Sequence, residues 1–167
     1  MKYLTVIIPS YQVEKYINET LDSLLLPELL EDVEILVIND GSTDKTEEIA
    51  KEYGQKYPES VRLISKENGG HGSTINCGIQ EARGLFLKVV DGDDWVESKG
   101  LIQLVQEIKK TECDMILNPF FKVNDKTGIK ELCFYDEAEQ YYTTTFKKIK
   151  NRSDRYGMHA ITYRTSI

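Results

Sequence analysis

Residues 85–94 read Leu-Phe-Leu-Lys-Val-Val-Asp-Gly-Asp-Asp, an apolar run that passes straight into three carboxylates around one glycine. The run has the length and composition of a buried strand. The acids repel one another, and each resists leaving water unless a cation compensates. Carboxylate oxygens in such a group suit a hard divalent ion such as Mg²⁺ or Mn²⁺. Gly92 is expected to let the backbone turn sharply, so that Asp91 and Asp93 can face one ion. A solvated acidic turn would use the same residues, so the position of the acids in the wider pattern decides.

Outward from this stretch the same strand-then-polar-loop pattern repeats. Leu4 to Ile8 is a short apolar run stopped by Pro9, which suits a strand buried on both faces. Val13, Ile17, Leu21, Leu24 and Leu25 recur at helical spacing, with Pro27 just past the helix end. Glu34 to Ile38 is a second strand, closed by Asn39-Asp40-Gly41. Ser42-Thr43-Asp44 caps a helix to about Tyr57, with Glu47 in its first turn. Val61 to Ile64 reads as a third strand, followed by the loop Asn68-Gly69-Gly70-His71-Gly72 and a helix over 73–82. Leu101, Leu104, Val105 and Ile108 mark a further helix, and Met115 to Leu117 begins a fifth strand. This rhythm predicts parallel βαβ units, hence an α/β fold with a mainly parallel sheet flanked by helices.

After residue 119 the pattern changes. Phe120 to Val123 and Glu131 to Tyr135 flank Asp125-Lys126-Thr127-Gly128, a hairpin pattern. Residues 136–152 are polar and predict a surface helix or loop. Thr162 to Ile167 reads as the middle of an element, so residues 1–167 are expected to form one domain that is incomplete at its C-terminus.

The net charge of −7, without a Lys/Arg-rich block, argues against a nucleic-acid partner. It also opposes a phosphate-bearing ligand unless a metal bridges the two. Met1-Lys2-Tyr3-Leu4 runs directly into the first strand, and no apolar stretch approaches the roughly 18 residues of a membrane span. The expected location is the cytoplasm, with the inner face of the membrane as the alternative for a longer protein. Cys77, Cys113 and Cys133 are odd in number without CxxC spacing, which fits reduced packing residues.

In open α/β sheets, ligands bind outside the carboxyl ends of the strands. Pro9-Ser10-Tyr11, Asn39-Asp40-Gly41-Ser42, the glycine loop at 69–72 and Asp91-Gly92-Asp93-Asp94 all fall there. Together they predict a pocket in which Tyr11 stacks on a base, Asp40 accepts from a ring N–H and the acid pair holds a metal against a diphosphate. Singly, each has a plainer reading: Tyr11 a loop aromatic, Asp40 a turn former, the glycines carriers of φ > 0, His71 a surface side chain. His159 has no second histidine or cysteine at ligand spacing. The GxGxxG of a dinucleotide site is missing after the first strand, as are a P-loop and an EF-hand register.

The ordered set Thr5-Val6-Ile7-Ile8-Pro9-Ser10-Tyr11, Glu34 to Asp44, Lys66-Glu67-Asn68-Gly69-Gly70, Asn76, Gly78, Ala82, Gly84 and Asp91 to Trp95 resembles glycosyltransferase family two, enzymes of the GT-A fold. The resemblance covers roughly residues 3–110. It implies an enzyme moving a sugar from a nucleotide-sugar, most simply a UDP-sugar, to a glycan or lipid-linked acceptor with inversion and help from Mn²⁺ or Mg²⁺. It further implies that Pro9, Ser10, Tyr11, Asp40, Gly69, Gly70 and Asp91 bind the nucleotide, and that Asp93 and Asp91 form the metal-binding DxD motif. Many members carry Ala-Arg-Asn where this chain has Thr74-Ile75-Asn76, so one basic contact is missing. No residue matches the family's general base. Asp154 and His159 are the weak catalytic candidates, with Asp136, Glu137 and Glu139 behind them. The alternative reading is a non-catalytic nucleotide-sugar binding module, or the donor-binding half of a larger protein.

Overall fold

The computed structural model describes residues 1–124, 126–133 and 158–166. In chain order the elements are β1 (Leu4–Ser10), α1 (Ile17–Leu24), β2 (Val33–Asn39), α2 (Thr46–Lys56), β3 (Val61–Ser65), α3 (His71–Glu81), β4 (Phe86–Val89), α4 (Ser98–Ile108), β5 (Met115–Leu117), β6 (Phe120–Val123), β7 (Lys130–Cys133) and β8 (Ile161–Arg164). Six strands form one sheet in the order β3-β2-β1-β4-β8-β5, and β6 pairs with β7 in a separate hairpin. The neighbours β3, β2, β1 and β4 are parallel, whereas β8 runs antiparallel to both β4 and β5. The mainly parallel α/β sheet expected from the strand rhythm is therefore present.

Three expectations need correction. Pro9 does not stop β1, which runs on to Ser10 and pairs with Asn39 of β2. The reason lies in which edge each residue faces: Ile7 O accepts from Val90 on the β4 side, while Ser10 O accepts from Asp40 on the β2 side. Alternation turns the N-less side of Pro9 toward β4, where the ladder has already ended at Ile7 opposite Val89. Helix α1 begins at Ile17 rather than near Val13; Val13 and Glu14 form a turn before it whose N–H groups donate across to Thr46 Oγ1 and Asp44 Oδ2. The C-terminal stretch is a short strand, β8, followed by a turn at 165–166, not the interior of a longer element.

The sheet is sandwiched. Val6, Ile8, Ile35, Val37, Phe86 and Val90 pack on one face with α1, α4 and Ala50 of α2. Ile7, Leu36, Ile38, Leu87 and Val89 face the other way, under Ile75 and Cys77 of α3. Every residue of β1 and β2 is buried, which is why both are mostly apolar; the buried Thr5 and Glu34 bond to each other. Helix α3 lies so close to β1 that a Cβ at Gly78 would stand 2.4 Å from Ile7 Cγ2. Cys77, Cys113 and Cys133 are not joined in disulfides. Among the described residues no helix is long and apolar enough to cross a membrane.

Lys88 sits in the middle of β4, 5% exposed, and donates to Asn118 Oδ1 at 3.1 Å. Burial pushes its ammonium down to about 8. A lysine whose folded value is lowered binds fewer protons folded than unfolded between that pH and its ordinary value. Stability therefore rises with pH across that window, by up to about 3 kcal/mol. Chemical denaturation from pH 7.5 to 10 is expected to show a gain that Lys88→Met lacks. Parallel curves for the two proteins would contradict this.

Candidate functional site

The loops after β1, β2, β3 and β4 meet at one edge of the sheet. The register that sets Asn39 of β2 opposite Ser65 of β3 brings Asp40 to Lys66. Lys66 Nζ donates to Asp40 Oδ1 at 2.6 Å, and Gly69 N–H donates to the same oxygen at 2.9 Å. Gly70 N–H donates to Asp40 Oδ2 at 2.8 Å, with Gly70 at φ 82°. Asp40 is 2% exposed. Burial alone would raise its carboxyl pKa, but the Lys66 ammonium and the two amides outweigh that and hold it below the ordinary value. Asp40 thus clamps the glycine loop, a role the sequence reading did not assign.

Tyr11 is 52% exposed at the end of β1. Pro9 and Ser10 are buried, and Ser10 Oγ donates inward to Ile8 O at 3.2 Å. Ser10 O accepts from Asp40 N at 2.9 Å. The structure therefore sets Pro9 and Ser10 behind the site, tying β1 to the Asp40 loop, and leaves Tyr11 at its surface.

The acid loop sits beside them. Asp94 N–H donates to Asp91 O at 3.0 Å, closing the turn. Gly92 lies in this turn, as expected, without a left-handed backbone. Close approach also favours glycine there: a Cβ would stand 3.1 Å from both Pro9 O and Val13 Cγ2, tight enough that its neighbours would have to shift. Helix α1 holds the loop from below, since Thr20 Oγ1 donates to Gly92 O at 3.0 Å and Val96 N–H donates to Ser23 Oγ at 3.1 Å. From the hairpin, Lys130 Nζ stands 4.5 Å from the centre of the Trp95 ring.

Asp93 and Asp94 are exposed and Asp91 is half-buried. Asp91 Oδ1 is buried and has no hydrogen-bond partner among the described residues. His71 Nε2, at the start of α3, stands 3.7 Å from it. His71 is indeed exposed, as expected, yet it faces this carboxylate. An orphaned buried acceptor calls for a ligand or an ion. Among the described residues no three His, Cys, Asp or Glu side chains gather to hold a metal by themselves. The donor set fits Mg²⁺ or Mn²⁺ held by one or two carboxylates with the remaining oxygens supplied by a phosphate ligand.

Asp154, Asp136, Glu137 and Glu139 lie outside the described residues, as does the side chain of His159, whose backbone is in a short 3-10 turn before β8. Ile75 packs against the core under α3.

Comparison with known proteins agrees with this geometry. The profile of the family described as "Glycosyl transferase family 2" matches residues 5–167. The uncharacterized glycosyltransferase EpsJ of Bacillus subtilis is 40% identical over 119 residues, 71% of this chain and 34% of EpsJ. The minor teichoic acid biosynthesis protein GgaB of the same organism is 37% identical over 128 residues, 74% of this chain and 14% of GgaB. The crystal structure of Staphylococcus aureus TarS 1–349 in complex with UDP-GlcNAc superposes with a TM-score of 0.72 at 27% identity, covering 99% of this chain and 46% of that one. This chain thus spans less than half the length of these relatives. With the GT-A sheet and a profile match over nearly all its residues, the chain belongs to glycosyl transferase family 2.

Proposed function

We propose that the chain forms the donor-binding part of an inverting glycosyltransferase that uses a UDP-sugar, with a glycan or lipid-linked acceptor. The observation that carries the reading is Asp91 Oδ1, buried without a hydrogen-bond partner among the described residues, beside the loop clamped by Asp40. Support also comes from TarS, whose structures hold UDP and UDP-GlcNAc.

Each residue has a role in this reading. Tyr11 stacks on the base. Asp40 Oδ2 accepts from Gly70 N–H and retains a lone pair for the N3–H of uracil, a donor that cytosine lacks. Gly69 and Gly70 bring the backbone close to the nucleotide. Pro9 and Ser10 support the pocket from behind through Gly92 and Asp40. Asp91 and Asp93 face the diphosphate and hold the divalent cation, Asp93 foremost. Bound there, Mn²⁺ or Mg²⁺ would neutralise charge on the departing nucleoside diphosphate. The acceptor hydroxyl attacks the anomeric carbon in line, and a carboxylate or histidine takes its proton.

UDP is expected to raise the melting temperature more with Mn²⁺ than without it. UDP should also bind more tightly than CDP by roughly 1–3 kcal/mol. Calorimetry with both nucleotides, each with and without Mn²⁺, measures this. Equal affinities for UDP and CDP would remove Asp40 from base recognition. Metal-dependent binding without sugar transfer in a longer protein would make the chain a binding module.

A further inference from the structure

Gln12 is the single non-glycine residue with a left-handed backbone among the described residues, at φ 56°. A residue with a Cβ resists that conformation, which persists only where neighbours over-determine it. Here they do. Gln12 N–H donates to Ser42 Oγ at 3.2 Å, and Gln12 Nε2 donates to Thr43 Oγ1 at 2.8 Å. Ser42 N–H in turn donates to Asn39 Oδ1 at 3.1 Å. The lacing continues with Val13 N–H on Thr46 Oγ1 and with Glu14, which donates to Asp44 and accepts from Lys45 N–H.

The segment after Tyr11 is therefore fastened to the loop that carries Asp40. Gln12 and Thr43 are both exposed, so their contact adds nothing to the core. Glycine at position 12 would make the same turn without strain. What glutamine adds is the bond to Thr43.

We infer that Gln12 is a positioning residue for base recognition. Its left-handed backbone and its amide fix Tyr11 relative to Asp40, so the ring offers a preset stacking face to a planar heterocycle. The inference rests on the reading of Tyr11 as the base platform. A preset ring loses less freedom on binding, so releasing it should weaken stacking while leaving the diphosphate contacts alone.

Two probes separate these effects: uridine monophosphate, and inorganic pyrophosphate with Mn²⁺. Gln12→Gly and Thr43→Val are each expected to lower affinity for uridine monophosphate roughly three- to ten-fold. Pyrophosphate–Mn²⁺ affinity and melting temperature should hardly change. Combining the two substitutions should cost no more than either alone, because they remove one shared bond. Tyr11→Ala should lower uridine monophosphate affinity roughly ten-fold, and adding Gln12→Gly to it should cost nothing further. A full additional loss in the Tyr11→Ala background would overturn the inference, as would equal losses for both probes. If Tyr11→Ala alone leaves uridine monophosphate affinity unchanged, the base-platform reading itself fails, and the inference with it.

Discussion

Replacing Asp40 by alanine is expected to destabilise the protein by about 3 kcal/mol and to abolish discrimination between uridine and cytidine nucleotides. The buried carboxylate accepts from Lys66 Nζ, Gly69 N–H and Gly70 N–H; alanine would strand the two amides and leave the Lys66 ammonium without its counter-charge, held only by Glu67 O and Ser73 Oγ. Lys66 retains about a quarter of its side-chain exposure, which keeps the loss below that of a fully buried ion pair. In a protein of this size the melting temperature should fall by about 10 °C. The pH dependence gives a second readout. The Asp40 carboxyl lies below its ordinary value when folded, so its contribution is present above the unfolded value and is lost as pH falls through the folded one. Stability of the native chain should therefore drop below about pH 4 more steeply than that of Asp40→Asn. Glu34 and Asp44 are shifted the same way, so only the difference between the two proteins isolates Asp40. If the two curves fall in parallel, the clamp carries no weight in stability.

Asp93→Asn is expected to remove the metal dependence of UDP binding while leaving the fold intact. Asp93 is exposed and the loop is held by backbone bonds to α1, so losing its charge strands no buried partner. In a longer protein competent for transfer, the same substitution should lower the rate by about 10²–10⁴, the scale on which transition-state charge stabilisation is lost. Calorimetry of UDP with and without Mn²⁺ is the direct test. A variant whose affinity still responds to the metal would take Asp93 out of the site and leave Asp91 as the ligand to examine. Asp91→Asn should have the smaller effect on the metal and the larger one on uridine nucleotides without it.

Much of this was legible because burial on both faces leaves an unmistakable mark. β1 and β2 are buried at every position, and strands of that kind are mostly apolar, with polar exceptions such as Thr5 and Glu34 bonded to each other. The acids after β4 were visible because nothing in folding asks for them. β8 was not visible. Four residues, Ile161 to Arg164, carry no periodic signal, and their antiparallel place between β4 and β5 is set by partners far away in sequence. Lys66 could have been found by extending the β2–β3 register one residue beyond Asn39 and Ser65, which sets a cation opposite Asp40. Gln12 could not, since a left-handed turn is announced by Gly, Asn or Asp and not by glutamine. The turn at Gly92 was legible, but its second constraint was not: close approach to Pro9 O leaves no mark in the sequence beyond the glycine itself.

The position of β8 also constrains when β4 gains its outer neighbour. Among the described residues β5 pairs into the main sheet through β8, and 43 residues lie between Leu117 and Ile161. During synthesis at about 5–20 residues per second, β5 waits roughly 2–9 s after it is made before its hydrogen-bonding partner exists. Over that interval β4 presents an open edge directly beside the acid loop. A chain arrested before residue 161 would keep the three-loop cluster around Asp40 but expose that edge to any other strand. Acquisition of the nucleotide-facing half and protection of the β4 edge are thus separate events in the life of the nascent chain, and the second follows the first.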